Sequence, residues 1–390
     1  MNFRKKTSVY LHRNRVALIG GGLEYFDKME FLINNARYLV HVQVYIFEAG
    51  ETGNKIASAL IKAAGRGVKI YVLADGYASQ SLPRSLFDSF TKAGIKFKFF
   101  EPLLKSTRFY FGRRLHQKVF VADALYSLVG GINIADHYNE IKGKPAWKDY
   151  AIYIEGETSV RLHNICNKFW KEEVFPSKQL TEEALEYSQQ ISPSEYCSLR
   201  VRRNDWLRGH RQVVDTYFNL INQSQHSIII MCSYFLPGKS LLNRIKTAVK
   251  DGIKVKIILA GPSDVLIAKK AERYLYHFLL KHKIEIYEYQ PTVLHAKLAV
   301  ADSRFVTIGS FNINNISAFA SIELNIDVRN KPFAIAVHNE IEKVIKNDCL
   351  QITSEYFLKK LTWYNKFINL LSYYLIRIIF NISTFYYRRF

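Results

Sequence analysis

His116-Gln117-Lys118-Val119-Phe120-Val121-Ala122-Asp123 occurs a second time in this chain of 390 residues, as His295-Ala296-Lys297-Leu298-Ala299-Val300-Ala301-Asp302. Both copies read H-x-K-x4-D. Both continue after six residues into a small pair and an Asn: Gly130-Gly131-x-Asn133 and Gly309-Ser310-x-Asn312. Leu115 and Leu294 precede the two histidines. With each fixed position at roughly 5% usage, one chance match is on the order of one in a million starts. Two matches therefore mean an internal duplication.

Between Lys and Asp the residues are apolar or small, which predicts a buried strand. Asp302-Ser303-Arg304 then Phe305-Val306-Thr307-Ile308 predicts a hairpin. Residues i and i+2 share a face of a strand, so His116 points with Lys118 and His295 with Lys297. If the two halves pack face to face, two His, two Lys and two Asn converge. That set suits a phosphodiester. A neutral His can attack phosphorus and a protonated His can protonate the leaving oxygen. Lys118, Lys297, Asn133 and Asn312 can hold the phosphoryl oxygens. No cofactor or metal is required. A single His on an apolar strand is usually a packed core residue, but a packing role gives no reason for the downstream Gly and Asn to recur. Asp123 and Asp302 fall at predicted turns, where Asp commonly bonds local backbone, so they stand as catalytic or structural candidates alike.

These motifs resemble the phospholipase D superfamily, and the chain is most similar to bacterial cardiolipin synthases over roughly residues 30–345. The resemblance implies two duplicated α/β sandwich domains with the active site at their interface. It implies His116 as nucleophile, forming a phosphohistidine, and His295 as general acid and then base. It also implies an acidic residue orienting each His: Asp149, in Trp147-Lys148-Asp149, and Glu323. The second copy departs from the family pattern at Ile316, where an Arg is usual, and at Ser321, where an Asn is usual; Ser317 and Glu323 are kept.

Fifty-five basic residues against 34 acidic give a net charge of +21, which favours anionic partners. Four cysteines without a C-x-x-C pair indicate neither a zinc site nor a disulfide framework. Gly20-Gly21-Gly22 lacks the spacing of a dinucleotide loop. The predicted organisation is a basic segment over 1–22, a first α/β domain over 23–176, a linker over 177–204, a second domain over 205–350, and a helical segment over 351–390. The aromatic and basic loop Glu101–Arg114 leads into His116 and is a candidate for shaping the site's mouth. The last stretch is apolar and aromatic but interrupted by Arg377, which predicts a helix lying in a membrane interface rather than crossing it. The expected partners are phospholipid substrates and an anionic membrane surface, at the cytoplasmic face of a bacterial membrane; the apolar C-terminus argues against nucleic acid. Three reactions fit the motifs: phosphatidyl transfer, phospholipid hydrolysis and nuclease-type phosphodiester cleavage. A catalytically inert membrane scaffold fits poorly, since both His and both Lys are intact.

Overall fold

The computed structural model describes residues 9–102, 113–170 and 177–385. Most of the predicted mouth loop, residues 103–112, lies outside them. The first half runs β1 (Asn14–Gly20), α1 (Leu23–Asn35), β2 (Leu39–Val44), α2 (Glu51–Gly65), β3 (Lys69–Asp75), α3 (Arg84–Lys92), β4 (Lys96–Phe100), β5 (Arg114–Leu115), β6 (Lys118–Ala122), β7 (Tyr126–Gly130), β8 (Tyr150–Gly156) and α4 (Glu157–Asn167). Helix α5 (Ser177–Gln189) leads into the second half: β9 (Ser198–Asp205), β10 (His210–Arg211), α6 (Gln212–Gln223), β11 (Ser227–Cys232), α7 (Lys239–Lys250), β12 (Lys254–Ala260), α8 (Leu266–Lys281) and β13 (Glu285–Tyr289). It closes with β14 (Lys297–Ala301), β15 (Phe305–Gly309), α9 (Asn315–Phe319), β16 (Ser321–Arg329), α10 (Lys331–Asp348), β17 (Cys349–Ile352), α11 (Ser354–Lys360) and α12 (Trp363–Phe385).

The first sheet has the order β1-β8-β7-β6-β2-β3-β4, and the second β10-β9-β16-β15-β14-β11-β12-β13-β17. Without its edge strands β10 and β17, the second repeats the first strand for strand. Helical crossovers make β2, β3 and β4 parallel, and likewise β11, β12 and β13. Each motif strand pairs antiparallel with its successor, as the hairpin reading predicts. Both hairpin turns hold two residues at positive φ, Asp123-Ala124 and Asp302-Ser303, a conformation that Asp tolerates and that matches strand twist.

Alternation along the motif strands divides the core. Phe120 and Ala122 face helices α1 and α2 of the first half, and Ala299 and Ala301 face the corresponding layer of the second. Val119, Val121, Leu298 and Val300 face one another's sheets in a shared central core. That core fixes the halves face to face.

Two segment expectations need correction. The 1–22 segment contains β1, paired along its length with β8. The 177–204 linker contains helix α5 and most of strand β9, which pairs with β16 over seven residues. Two of its arginines are paired inside: Arg200 Nη2 donates to Asp327 at 2.8 Å, and Arg202 Nε donates to Thr216 Oγ1 at 2.9 Å. The four cysteines are free thiols.

Candidate active site

Each histidine is tied by its backbone to the opposite half. The short strand β5 pairs parallel with the start of β16, and His116 N donates to Ile322 O at 3.0 Å. In the mirror arrangement, His295 N donates to Lys148 O at 2.7 Å. The side chains cross over in the same way. His116 Nδ1 lies 3.0 Å from Glu323 Oε2, on β16 of the second half. His295 Nδ1 lies 2.7 Å from Asp149 Oδ2, which precedes β8 of the first half. Both carboxylates are completely buried. A carboxylate at Nδ1 holds the proton there and leaves Nε2 with its lone pair, the tautomer a nucleophile or base requires.

The small pair of the motif explains itself here. Ser310 Oγ donates to Glu323 Oε2 at 2.5 Å and fixes the carboxylate that meets His116. At the matching position of the first copy stands Gly131. A Cβ there would come within 2.4 Å of Asp149 Oδ2, so Gly makes room for the carboxylate that meets His295.

Lys118 and Lys297 are 2% and 1% exposed, and each ammonium donates to the carbonyl of its own histidine, two residues back. Lys297 Nζ also lies 4.0 Å from Asp149 Oδ2. Burial pulls Lys118 down to about 7 and Lys297 to about 8 against the pull of the two carboxylates. Burial lowers His116, with Glu323 opposing. Burial, then the charges of Lys297 and Lys118, hold His295 well below its usual range. Burial pushes the Asp149 carboxyl up to about 7, although Lys297 favours its ionised form. Four basic groups thus crowd a volume with two carboxylates. Burial is the largest cause of each lowered value, and a phosphodiester bound among them would favour the charged forms of the lysines.

Of the other predicted site residues, Asn133 reaches the cluster indirectly. Its Nδ2 donates to Tyr138 Oη at 2.9 Å, and Tyr138 Oη lies 3.2 Å from His295 Nε2. Its Oδ1 accepts from Ile46 N. Asn312 is 5% exposed, and its Oδ1 is buried without a partner. Asp123 and Asp302 do not join the cluster. Asp123 accepts from the backbone amides of Arg37, Tyr38 and Leu39, and Asp302 from those of Gln225, His226 and Ser227. Each stands at the far end of a five-residue strand from its Lys, roughly 17 Å away. Burial works against the charge of Asp302, but the three amides outweigh it and hold the carboxyl below its usual range. Both acids tie motif strand to neighbouring strand, and the catalytic assignment is replaced by this structural one.

The motifs did not reveal Tyr138, Trp147 as a ring neighbour, or Tyr45. The Tyr138 ring meets His295 edge-on at 5.1 Å between centroids, Trp147 lies at 5.9 Å from it, and Tyr45 meets His116 at 4.9 Å. Burial pushes the Tyr138 phenol well above its usual range, so it stays a donor. Counted from the shared His, the counterpart of Tyr138 is Ser317, a break in the repeat that could have marked it. At the family departures, Ile316 is 36% exposed on α9 and Ser321 is buried at the start of β16.

Known proteins resemble the chain along most of its length. The family model "Cardiolipin synthase, PLD-like domain" matches residues 29–143 and 217–345. Cardiolipin synthase B of Salmonella typhi is 30% identical over 372 residues, covering 93% of this chain and 88% of that one. Cardiolipin synthase B of Escherichia coli K12 is 29% identical over 377 residues, with the same coverage. Among solved structures, phosphatidylserine synthase of Haemophilus influenzae matches with a TM-score of 0.74 at 16% identity, covering 95% of each chain, a likeness of fold. With its family model matched in both halves and its duplicated motifs joined across their interface, the chain belongs to the cardiolipin synthase family of PLD-like proteins.

Proposed function

We propose that this chain is a phosphatidyltransferase that makes cardiolipin and glycerol from two molecules of phosphatidylglycerol. The observation that carries the reading is the crossed pair of histidines, each held at Nδ1 by a carboxylate of the other half beside a buried lysine. His116 Nε2 attacks the phosphorus, a P–N bond forms, and the P–O bond to the departing glycerol breaks. His295 gives that oxygen its proton. The hydroxyl of a second phosphatidylglycerol then attacks the phosphohistidine, returns its proton to His295, and frees His116.

Asymmetry between the histidines supports these roles. The His116 side chain is 16% exposed, and its Nε2 meets no protein partner among the described residues. His295 is 8% exposed, and its Nε2 faces the Tyr138 phenol. The burial of both lysines and both carboxylates limits water at the phosphorus, which favours a lipid acceptor over hydrolysis. Denaturing the chain in alkaline detergent after mixing with phosphorus-labelled phosphatidylglycerol, conditions in which a P–N bond to histidine survives, should leave label on the peptide containing His116; label on the His295 peptide reverses the roles.

Substrate affinity should depend on pH through the lysines. Lys118 and Lys297 are charged below about 7 and about 8 and lose that charge as pH rises. Affinity for a non-hydrolysable phosphonate analogue of phosphatidylglycerol is expected to fall about tenfold between pH 6 and pH 9. Titration calorimetry reads this, and a flat profile contradicts it.

The C-terminal helix supports placement at a membrane surface. Among the described residues no helix is long and apolar enough to cross a membrane. Helix α12 instead turns its apolar face outward: Phe367, Leu370, Leu371, Tyr374, Leu375, Ile378 and Ile379 are exposed, while Asn369 and Ser372 are buried on the other side. With the chain's net charge of +21, this stripe fits the headgroup region of an anionic bilayer at the cytoplasmic face. Leu371→Glu with Ile378→Glu should weaken flotation with phosphatidylglycerol vesicles about tenfold or more. Unchanged flotation would place the contact elsewhere.

A further inference from the structure

A cavity of about 400 Å³ lies in the second half among α6, α7, α9 and α12, and neither histidine nor its lysine or carboxylate lines it. Three cations from separate parts of the chain line it: Arg211 just before α6, Lys239 at the start of α7, and Arg377 on α12. No carboxylate lines it. The guanidinium groups rest on aromatic rings, Arg211 over Phe319 at 5.8 Å and Arg377 over Tyr373 at 5.6 Å. The remaining wall is apolar and aromatic, with Phe218, Phe311 and Ile313 among its residues. Tyr217, 1% exposed, adds its ring to the wall.

Three cations without an acid and an apolar wall are the two ends of one amphiphile: an anionic phosphate and a hydrocarbon chain. Position supplies the occupant. Arg377 interrupts the apolar sequence of α12 and is half-buried, while Ile378 and Ile379 beside it are exposed. The cavity therefore adjoins the face of α12 read above as membrane-facing, and the proposal rests on that reading.

We propose that this cavity holds one anionic phospholipid drawn from the bilayer, separate from the lipid that reacts at the histidines. Its phosphate sits between Arg211, Lys239 and Arg377, and the upper part of an acyl chain lies along Phe218 and Ile313. Phe311 and Ile313 flank Asn312 of the motif, so this lipid would press on the segment that carries a predicted phosphate ligand.

The test uses the full chain carrying His116→Ala and His295→Ala, so that no lipid turns over. It is mixed with phosphatidylcholine vesicles doped with a photoactivatable phosphatidylglycerol, irradiated, and mapped by peptide mass spectrometry. Label is expected on α6 and on the segment from Phe311 to Phe319. Arg211→Gln with Arg377→Gln should lower it about tenfold while the protein floats with vesicles as before. Lys239→Gln, at an exposed position, should lower it in the same direction if the double variant fails to fold. Equal labelling by photoactivatable phosphatidylcholine overturns the proposal, as does undiminished labelling in the variants. Full displacement by inorganic phosphate would also overturn it, by making this a free-phosphate site. Retained flotation without cavity label sinks the cavity alone. Loss of flotation by the parent chain sinks both the cavity and the docking of α12.

Discussion

Replacing His116 with alanine is expected to lower phosphatidylglycerol turnover by at least about 10⁴-fold and to abolish covalent label on the chain. The size follows from what is lost. Without Nε2 no P–N bond forms, and an acceptor hydroxyl would have to displace glycerol directly in a site arranged for two successive steps. Alanine leaves the pairing of His116 N with Ile322 O intact, so the fold should persist and thermal unfolding should change little. His295→Ala is expected to behave differently. It keeps the nucleophile and loses the acid, so it should still become labelled by an activated diester whose leaving group needs no proton. Equal loss of labelling in both variants would contradict the division of roles.

The carboxylates should matter almost as much as the histidines they hold. Asp149→Asn and Glu323→Gln are each expected to reduce kcat by about 10³- to 10⁴-fold, because an amide does not fix the tautomer that frees Nε2 and does not stabilise an imidazolium. Since Glu323 meets His116 and Asp149 meets His295, each substitution in one half disables the histidine of the other. Glu323→Gln should suppress label on His116. Asp149→Asn should permit labelling by an activated diester and block turnover of the natural lipid. Steady-state kinetics with labelling after an alkaline denaturing quench separates the two, and labelling unaffected in Glu323→Gln would contradict the crossed pairing.

Much of this was legible because the chain states its plan twice. The motif residues, the hairpins and the alternation of helix and strand recur in both copies, and the structure repeats them in sheet order. The crossing of His and carboxylate was not legible. It is set by how two sheets pack through Val119, Val121, Leu298 and Val300, and apolar strand residues alone do not encode their partners. For Asp123 and Asp302 the shared motif and the turn point to different roles, and in the structure both bind backbone amides as the turn reading expects. The residues of strand β9 are mostly polar and charged, a composition that reads as linker; only the fold brings Asp327 and Thr216 to Arg200 and Arg202. Tyr138 escaped because it contacts the histidine of the other half, a neighbour that no local spacing suggests.

The most direct test of phosphatidyl transfer is the product of one reaction. Purified chain is mixed with phosphatidylglycerol vesicles beside the His116→Ala variant, and lipids and small alcohols are measured by mass spectrometry. Cardiolipin and free glycerol in equal amounts, absent from the variant, are the expected result. Phosphatidic acid without cardiolipin would contradict it, because water rather than a second lipid would then be the acceptor.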